Sequence, residues 1–147
     1  MEHEEYMRQA LELARLAMAE GEVPVGCVIV RDGAVVGRGR NRRETAQTAL
    51  GHAELEAIAQ ACRTLGGWRL AGCALYVTLE PCPMCAGAIV NARIPAVYYG
   101  AKDDKAGCCG SVLNLFEERF NHHPRIYGRV LEAECACLLY TSDAADE

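Results

Sequence analysis

The segment from Ala74 to Ala101 restricts the fold more than any other part of this sequence. It contains an apolar strand pattern, ALYVTLE, then a helical pattern, PCPMCAGAIVNAR, and then a second apolar strand pattern, IPAVYYGA. The prolines suit the first turn of the helix. A strand, a helix and a strand in direct succession predict two parallel strands joined by a right-handed crossover. The segment therefore predicts an α/β fold.

The flanking segments predict a hairpin and further helices around this unit. Before it we expect a helix over 4–20, a hairpin of VPVGCVIV and AVVGRG around an Asp-Gly turn, and a helix in GHAELEAIAQACRTLGG. After it we expect a short helix in SVLNLFEERF, a strand in RIYGRVL and the start of a last helix in EAECACLL. The predicted fold class is a three-layer α/β/α domain with a central mixed five-stranded sheet.

Composition predicts one cytoplasmic domain. The chain has 147 residues, 51% of them apolar, and no apolar run long enough to cross a membrane. Its acidic start, MEHEEYMRQA, is unlike a signal peptide. Nine cysteines without an export signal favour reduced thiols, a subset of which bind metal. The net charge of −5 does not indicate a nucleic-acid binder, so any such surface must be local.

Two short motifs at predicted helix starts carry the chemistry. His52-Ala53-Glu54 opens the second helix, and Pro81-Cys82-Pro83-Met84-Cys85 opens the third. Cys82 and Cys85, three residues apart, share one face of a first turn, where the helix dipole favours thiolates. One His and two Cys leave a zinc position open for water, as in catalytic sites. Glu54 is the carboxylate that would move protons.

Simpler interpretations apply to each motif alone. A single Cys-x-x-Cys also fits a redox pair or half of a structural zinc site, and His-x-Glu alone carries little information. Together at two helix starts they favour catalysis. His122 and His123 are the only candidates for a fourth ligand, but they lack partner spacing. We predict that the remaining cysteines are small core residues: Cys27, Cys62, Cys73, Cys108, Cys109, Cys135 and Cys137.

The combination of HAE and PCxxC resembles the signature of zinc-dependent nucleoside and nucleobase deaminases. Longer stretches resemble the bacterial tRNA-specific adenosine deaminases within that superfamily: VPVGCVIV, TLEPCPMCAGAIVNARI, YYGAKDDKAGCCGSVLNL, NHHP and ECACLL. The resemblance runs from about Glu4 to about Cys137. It implies a cytidine-deaminase-like form of the predicted α/β/α fold. The segment Gly100–Leu115 is the most discriminating, because the two short motifs also occur in cytosine, cytidine and guanine deaminases.

The resemblance implies hydrolytic deamination of the wobble adenosine of an arginine tRNA to inosine. His52, Cys82 and Cys85 would bind one Zn²⁺ per subunit of a homodimer, and Glu54 would be the catalytic proton carrier. The implied partner is a tRNA anticodon stem-loop. The implied substrate-binding residues are Asn41, Arg43, Ala53, Asp103, Lys105 and His122.

Two alternatives remain at this stage. A free-base deaminase acting on guanine or cytosine would share the fold and the motifs. The Arg38–Arg43 cluster and the Gly100–Leu115 segment favour tRNA, because a free base needs no phosphate-binding surface. A non-catalytic zinc-binding RNA module is the other alternative, and Glu54 speaks against it, because a structural zinc site needs no proton carrier.

The last eleven residues, CLLYTSDAADE, resemble the translation of a transposase-type sequencing-library adapter. We therefore expect a zinc-dependent deaminase domain over 1–136 and a non-native tail over 137–147 that replaces the end of the last helix. Without the three acidic residues of this tail the net charge is −2 rather than −5. Because the tail replaces the end of the last helix, we expect weaker tRNA binding. Finding these codons in intact genomic DNA would contradict the interpretation.

Overall fold

A computed structural model describes residues 2–146, in which helices and strands alternate as the sequence predicts. The helices are α1 (Glu2–Ala19), α2 (Ala53–Leu65), α3 (Pro83–Ala92) and α4 (Glu132–Asp146). The strands are β1 (Gly26–Arg31), β2 (Ala34–Arg40), β3 (Cys73–Leu79), β4 (Ala96–Ala101) and β5 (Arg125–Tyr127). A single 3₁₀ turn (Leu115–Glu117) precedes β5.

The strands form one mixed sheet in the order β2-β1-β3-β4-β5. Strand β1 is antiparallel to both of its neighbours, whereas β3, β4 and β5 are mutually parallel. The predicted hairpin corresponds to β1 and β2, and the predicted crossover to β3, α3 and β4. The mixed five-stranded sheet is therefore confirmed.

Helices cover both faces of the sheet and give three layers. Helices α1 and α4 pack on one face, and α2 and α3 on the other. Alternate residues of β1 point to opposite cores: Cys27 and Ile29 to the α2–α3 side, Val28 and Val30 to the α1–α4 side. A strand covered on both faces needs apolar residues at every position, which explains the unbroken run in its sequence.

Two glycines let α2 lie directly on β2. A Cβ atom added to Gly39 would lie 2.1 Å from the carbonyl oxygen of Ala53, and one added to Gly37 would lie 2.3 Å from that of Ala57. No other residue fits at these distances. The close approach sets the position at which α2 begins, next to the last residues of β2.

The last third of the chain departs from the predictions in three respects. The helix expected in SVLNLFEERF is only the 3₁₀ turn, because Leu115 N–H donates to the Cys108 carbonyl and ties the segment into a loop. The predicted RIYGRVL strand ends at Tyr127, because Gly128 lies against the ring of Tyr99. Cys137 is exposed rather than buried in the core.

The last helix passes without a break through residue 137, where we expect a non-native tail to begin. Leu138 and Leu139 are partly buried against the core, and Tyr140 is exposed. Helix formation does not test the origin of these residues, so the adapter interpretation stays a prediction. None of the described helices combines the length and hydropathy of a membrane span.

The packing of α2 on β2 predicts that Gly39→Ala lowers the free energy of unfolding by about 2–3 kcal/mol, because the methyl group overlaps helix backbone that cannot rotate away. Gly87→Ala is the matched control. Nothing lies within 4 Å of its added Cβ, and alanine favours a helix by about 1 kcal/mol over glycine. Denaturant unfolding of both variants checks the prediction. Equal stability of the two variants would contradict it.

Candidate active site

The starts of α2 and α3 meet at one edge of the sheet, as the sequence predicts. His52 is the residue immediately before α2, and Cys82 is the residue immediately before α3. Both have extended backbone angles, so their side chains are free to turn towards each other. Cys85 lies in the first turn of α3 and is fully buried.

The side chains of these three residues form a candidate metal site. The Nδ1 atom of His52 lies 3.6 Å from Cys82 Sγ and 3.4 Å from Cys85 Sγ. All three ligand atoms lie within 4.8 Å of one another. Tetrahedral zinc with ordinary Zn–S and Zn–N bonds places a sulfur and a nitrogen ligand about 3.6 Å apart. The spacing and the chemistry of these donors fit zinc.

The three candidate ligands shift one another's pKa values through their mutual hydrogen bonds. The hydrogen bond from Cys85, with a further contribution from His52, lowers the pKa of the Cys82 thiol to about 4 despite its partial burial. The same contact with Cys82 raises the pKa of Cys85, and the hydrogen bond to Cys82 raises the pKa of His52. The arrangement therefore favours a thiolate at Cys82, which is the form that binds a metal.

Glu54 is the second residue of α2 and is 4% exposed. Burial raises the pKa of its carboxyl group to about 7, with the charge of Cys82 acting in the same direction. A carboxyl group with this pKa exchanges protons readily near neutral pH. The sequence predicts a proton carrier at Glu54, and the structure places this residue beside the three candidate ligands.

Cys85 is fully buried, whereas the other three residues, His52, Glu54 and Cys82, line a cleft of about 220 Å³ that opens to the surface. Val23, Val25 and Leu79 form its apolar walls. Of the six predicted substrate-binding residues, four line the cleft: Asn41, Arg43, Ala53 and Asp103. An apolar slot with a few polar groups at its mouth is typical of a site for a flat, uncharged ring.

Asn41 both stabilises the turn after β2 and lines the cleft. Its Nδ2 group donates to the Val23 carbonyl, and its Oδ1 atom accepts from the Arg43 N–H. These bonds fix the turn after β2, which is the simpler role that its position in the sequence also suggests. One N–H and one lone pair of the amide are left over, and the residue faces the cleft.

The structure does not bring Lys105 and His122 to the cleft of their own chain. Lys105 is exposed on the loop after β4. The Nε2 atom of His122 lies 2.7 Å from the carbonyl oxygen of Ile94, just before the start of β4. That position is at the opposite end of the sheet from the cleft. Any contact of these two residues with substrate must therefore involve parts of it that lie outside the cleft.

A buried carboxylate, which the motifs do not reveal, supports one side of the cleft. Glu80 is 2% exposed and accepts hydrogen bonds from the backbone N–H groups of Asp103, Cys109 and Ser111, at 3.1, 2.8 and 3.1 Å. Gly107 packs so closely that an added Cβ would lie 2.3 Å from the carboxyl carbon of Glu80. The carboxylate thereby holds residues 103–111 against the end of β3 and sets the position of Asp103.

Glu22 holds the loop between β2 and α2, on the other side of the cleft, in the same way. Its carboxylate is 4% exposed and accepts from the N–H groups of Glu44 and Thr45, at 3.1 and 2.6 Å, and from the Thr45 hydroxyl. Burial raises the pKa of Glu22, but these hydrogen bonds outweigh it and the net pKa is lowered. The only signal in the sequence for such a role is at Glu80, a charged residue directly after a buried strand.

The comparisons with known proteins agree with this geometry. Residues 1–134 match the family model of the MafB19-like deaminases. A tRNA-specific adenosine deaminase of Bacillus subtilis is 51% identical over 135 residues, which cover 91% of this chain and 84% of the relative. One from Agrobacterium fabrum is 45% identical over 139 residues, covering 94% of this chain and 91% of that protein.

Two solved structures are informative. One comes from a study of A-to-I editing by tRNA:A34 deaminases at the wobble position of transfer RNA; it is 46% identical, with a TM-score of 0.88, and covers 92% of this chain and 99% of the other. The other is a guanine deaminase from Bacillus subtilis, 44% identical, with a TM-score of 0.66, covering 69% of this chain and 66% of that one.

The fold and the His, Cys, Cys and Glu arrangement at the start of two helices define a deaminase. Within that class, the chain belongs to the family of the tRNA-specific adenosine deaminases, as its identity to members of that family shows.

The Glu80 contacts predict a pH-dependent loss of stability in Glu80→Gln. Burial raises the pKa of Glu80, but the hydrogen bonds from Ser111, Asp103 and Cys109 outweigh it, so the net pKa lies below its usual value. The charged form therefore stabilises the fold above the pKa of the unfolded chain, about 4.3, and this stabilisation is lost as the pH falls through the lower folded-state pKa. We expect Glu80→Gln to lower the free energy of unfolding at pH 7 by about 2–3 kcal/mol.

Urea unfolding at several pH values measures this effect. The difference between wild type and variant should shrink as the pH is lowered below about 4. Glu117→Gln, at an exposed position, is the control and should match wild type. A Glu80→Gln difference that is constant over pH would show that the charge is not responsible.

Proposed function

We propose that this protein hydrolyses adenosine to inosine and ammonia at the wobble position of a tRNA anticodon. The observation that carries the proposal is the position of Glu54 beside His52, Cys82 and Cys85 at the base of a cleft sized for a base. The extent of identity to tRNA-specific adenosine deaminases supports the choice of substrate. An arginine tRNA is the partner that the family resemblance implies.

The residues of the chain have separate roles in this reaction. His52, Cys82 and Cys85 would hold one zinc ion. When bound, zinc acts as a Lewis acid that makes water a nucleophile near neutral pH. Glu54 would accept the proton of that water and deliver it to N1 of adenine while oxygen adds at C6. Glu54 would then take the remaining proton from the hydroxyl group at C6 and pass it to the amine, so that ammonia leaves as the C6 carbonyl forms.

The walls of the cleft determine which group can enter. The adenine must leave the stack of the anticodon loop to reach Glu54. Val23, Val25 and Leu79 would contact its faces, and the remaining polar capacity of Asn41 would contact its edge. The backbone N–H of Ala53, at the start of α2, would stabilise negative charge that develops at C6-bound oxygen.

The mouth of the cleft would hold the nucleotide backbone. Arg43 is exposed there and would contact phosphate, and Asp103, which also lines the cleft, would contact the ribose. Lys105 and His122 lie outside the cleft, so their proposed contacts are with RNA beyond the target nucleotide. The protein would work in the cytoplasm, where its substrate is found.

A homodimer is part of the proposal. Exposed large apolar side chains occur at Leu50, Val112 and Leu113, which are 62%, 54% and 46% exposed. Such residues, in the loops before α2 and after β4, support an interface between two copies. The oligomeric state in solution tests this part independently of activity.

We expect Glu54→Gln to lower turnover by about 10²–10⁴-fold, because the amide cannot carry a proton between water and substrate. Zinc content should remain at one ion per chain, since Glu54 is not one of the proposed ligands. Elemental analysis and single-turnover deamination of an anticodon stem-loop measure the two quantities. Glu12→Gln, on the exposed face of α1, is the control and should be fully active. Turnover retained in Glu54→Gln would refute the mechanism.

The wild-type protein should release ammonia from an anticodon stem-loop with adenosine at the wobble position, and no ammonia from free guanine or cytosine. The same stem-loop with guanosine at that position is the substrate control. Mass spectrometry of the digested RNA should show inosine at the wobble nucleotide alone. Deamination of a free base without reaction of the stem-loop would favour the alternative, a small-molecule deaminase like the Bacillus subtilis guanine deaminase.

A further inference from the structure

A second groove lies on the outer edge of the sheet, between β2 and α2. None of the residues that line it also lines the cleft described above. It has a volume of about 360 Å³. We call it the arginine groove, and its polar lining consists of Arg38, Arg40, Arg42, Arg63, Glu56 and Gln60.

We propose that the arginine groove binds backbone phosphates of the RNA stem that flanks the target loop. The inference rests on the proposed function, because it names how the same substrate extends beyond the cleft.

Charge in the groove is positive after its internal ion pairs are formed. The guanidinium of Arg40 donates to both carboxylate oxygens of Glu20, at 2.8 and 2.9 Å. The Nε atom of Arg42 lies 3.1 Å from Glu56 Oε2, close enough for an ion pair but not aligned for a hydrogen bond. Among the residues that the structure describes, no carboxylate lies within 4 Å of the guanidinium nitrogens of Arg38 or Arg63. Two unneutralised cations therefore face the groove.

The groove is adjacent to the cleft along the chain, although the two share no lining residue. Strand β2 ends at Arg40, which lines the groove. The next residue, Asn41, and then Arg43 line the cleft. Helix α2 begins at the cleft with Ala53, and Arg63 lies ten residues later, about 15 Å along the helix axis. Arg38 and Arg40 are about 7 Å apart on the same side of the strand. A polymer with a charge on every repeat can follow such a row, whereas a single small anion would use only part of it.

A second strand cannot pair with this edge. The outward N–H groups of an edge strand usually invite pairing with another chain. Here the N–H of Arg38 donates to Gln60 Oε1 at 2.7 Å, and the N–H of Arg40 donates to Glu56 Oε1 at 3.1 Å. Side chains of α2 thus occupy the N–H groups of Arg38 and Arg40. The edge is closed to β-augmentation by a second copy, while its guanidinium groups stay open to anions.

The experiment measures the affinity of wild type and Arg38→Ala/Arg63→Ala for a full tRNA between about 50 mM and about 200 mM salt. Each lost phosphate contact reduces the slope of log affinity against log salt by about 0.7–0.9. We expect a slope smaller by about 1.4–1.8 and an affinity about tenfold lower at the lowest salt. An oligonucleotide with only the anticodon-loop sequence should bind both proteins equally, since it does not reach the groove.

Two further variants are matched controls. Arg8→Ala/Arg69→Ala removes the same charge from surfaces outside the groove and should keep the wild-type slope. Arg38→Lys/Arg63→Lys keeps the charge and should restore most of the slope. Thermal unfolding checks that all variants are folded. A slope unchanged in Arg38→Ala/Arg63→Ala, or reduced equally in Arg8→Ala/Arg69→Ala, would overturn the proposal.

Failure of the two proposals can be told apart. Wild-type protein that binds tRNA through Arg38 and Arg63 but forms no inosine would support the groove and contradict the proposed function. Wild-type protein that forms inosine in the tRNA, with binding independent of these two arginines, would support the function and contradict the groove.

Discussion

The position of β1 between β2 and β3, antiparallel to both, determines where the active site forms. Because β1 opposes both neighbours, β2 and β3 point in the same direction and end at the same edge of the sheet. The chain leaves β2 through a loop into α2, and leaves β3 directly into α3. Two helix starts then lie side by side, and each presents its first residues to the other. Every residue of the candidate metal site belongs to one of these two starts.

Two buried carboxylates hold the loops on either side of that edge. Glu22 collects donors from Glu44 and Thr45, and Glu80 collects donors from Asp103, Cys109 and Ser111. A loop that carries site residues has few apolar contacts of its own, so charged hydrogen bonds are an effective way to hold it in place. The cost is the burial of two charges, which is offset because each carboxylate is surrounded by backbone N–H groups. Rigid loops also keep the cleft preorganised for a base that must leave its stack.

The surface charge must also suit the substrate, because a protein with a net negative charge has to attract RNA, which is a polyanion. The chain has 20 acidic and 15 basic residues, yet the arginines of Arg38–Arg43 lie on β2 and in the loop that leads to the cleft. Several of the acidic side chains are engaged by groups of the protein itself: Glu20 pairs with Arg40, and Glu22 and Glu80 accept backbone hydrogen bonds. Net charge therefore says little about the field at the cleft, whereas the local order of strand, loop and helix determines it.

The sequence by itself determined most of the elements, the sheet class and the donors of the candidate metal site. Period-two and helical patterns are local, and His52, Glu54, Cys82 and Cys85 stand at helix starts that can be recognised from their neighbours. Only the tertiary structure decided which other residues meet there. Asn41 is fixed in the cleft wall by its bond to Val23, which lies 18 positions away. Glu22 holds a neighbouring loop through residues 22 and 23 positions away, and Glu80 holds another through residues 23–31 positions away. Likewise, His122 is two residues from a proline in a polar loop, yet its bond to Ile94 places it at the far end of the sheet. Such contacts depend on how distant segments pack, and no local pattern records them.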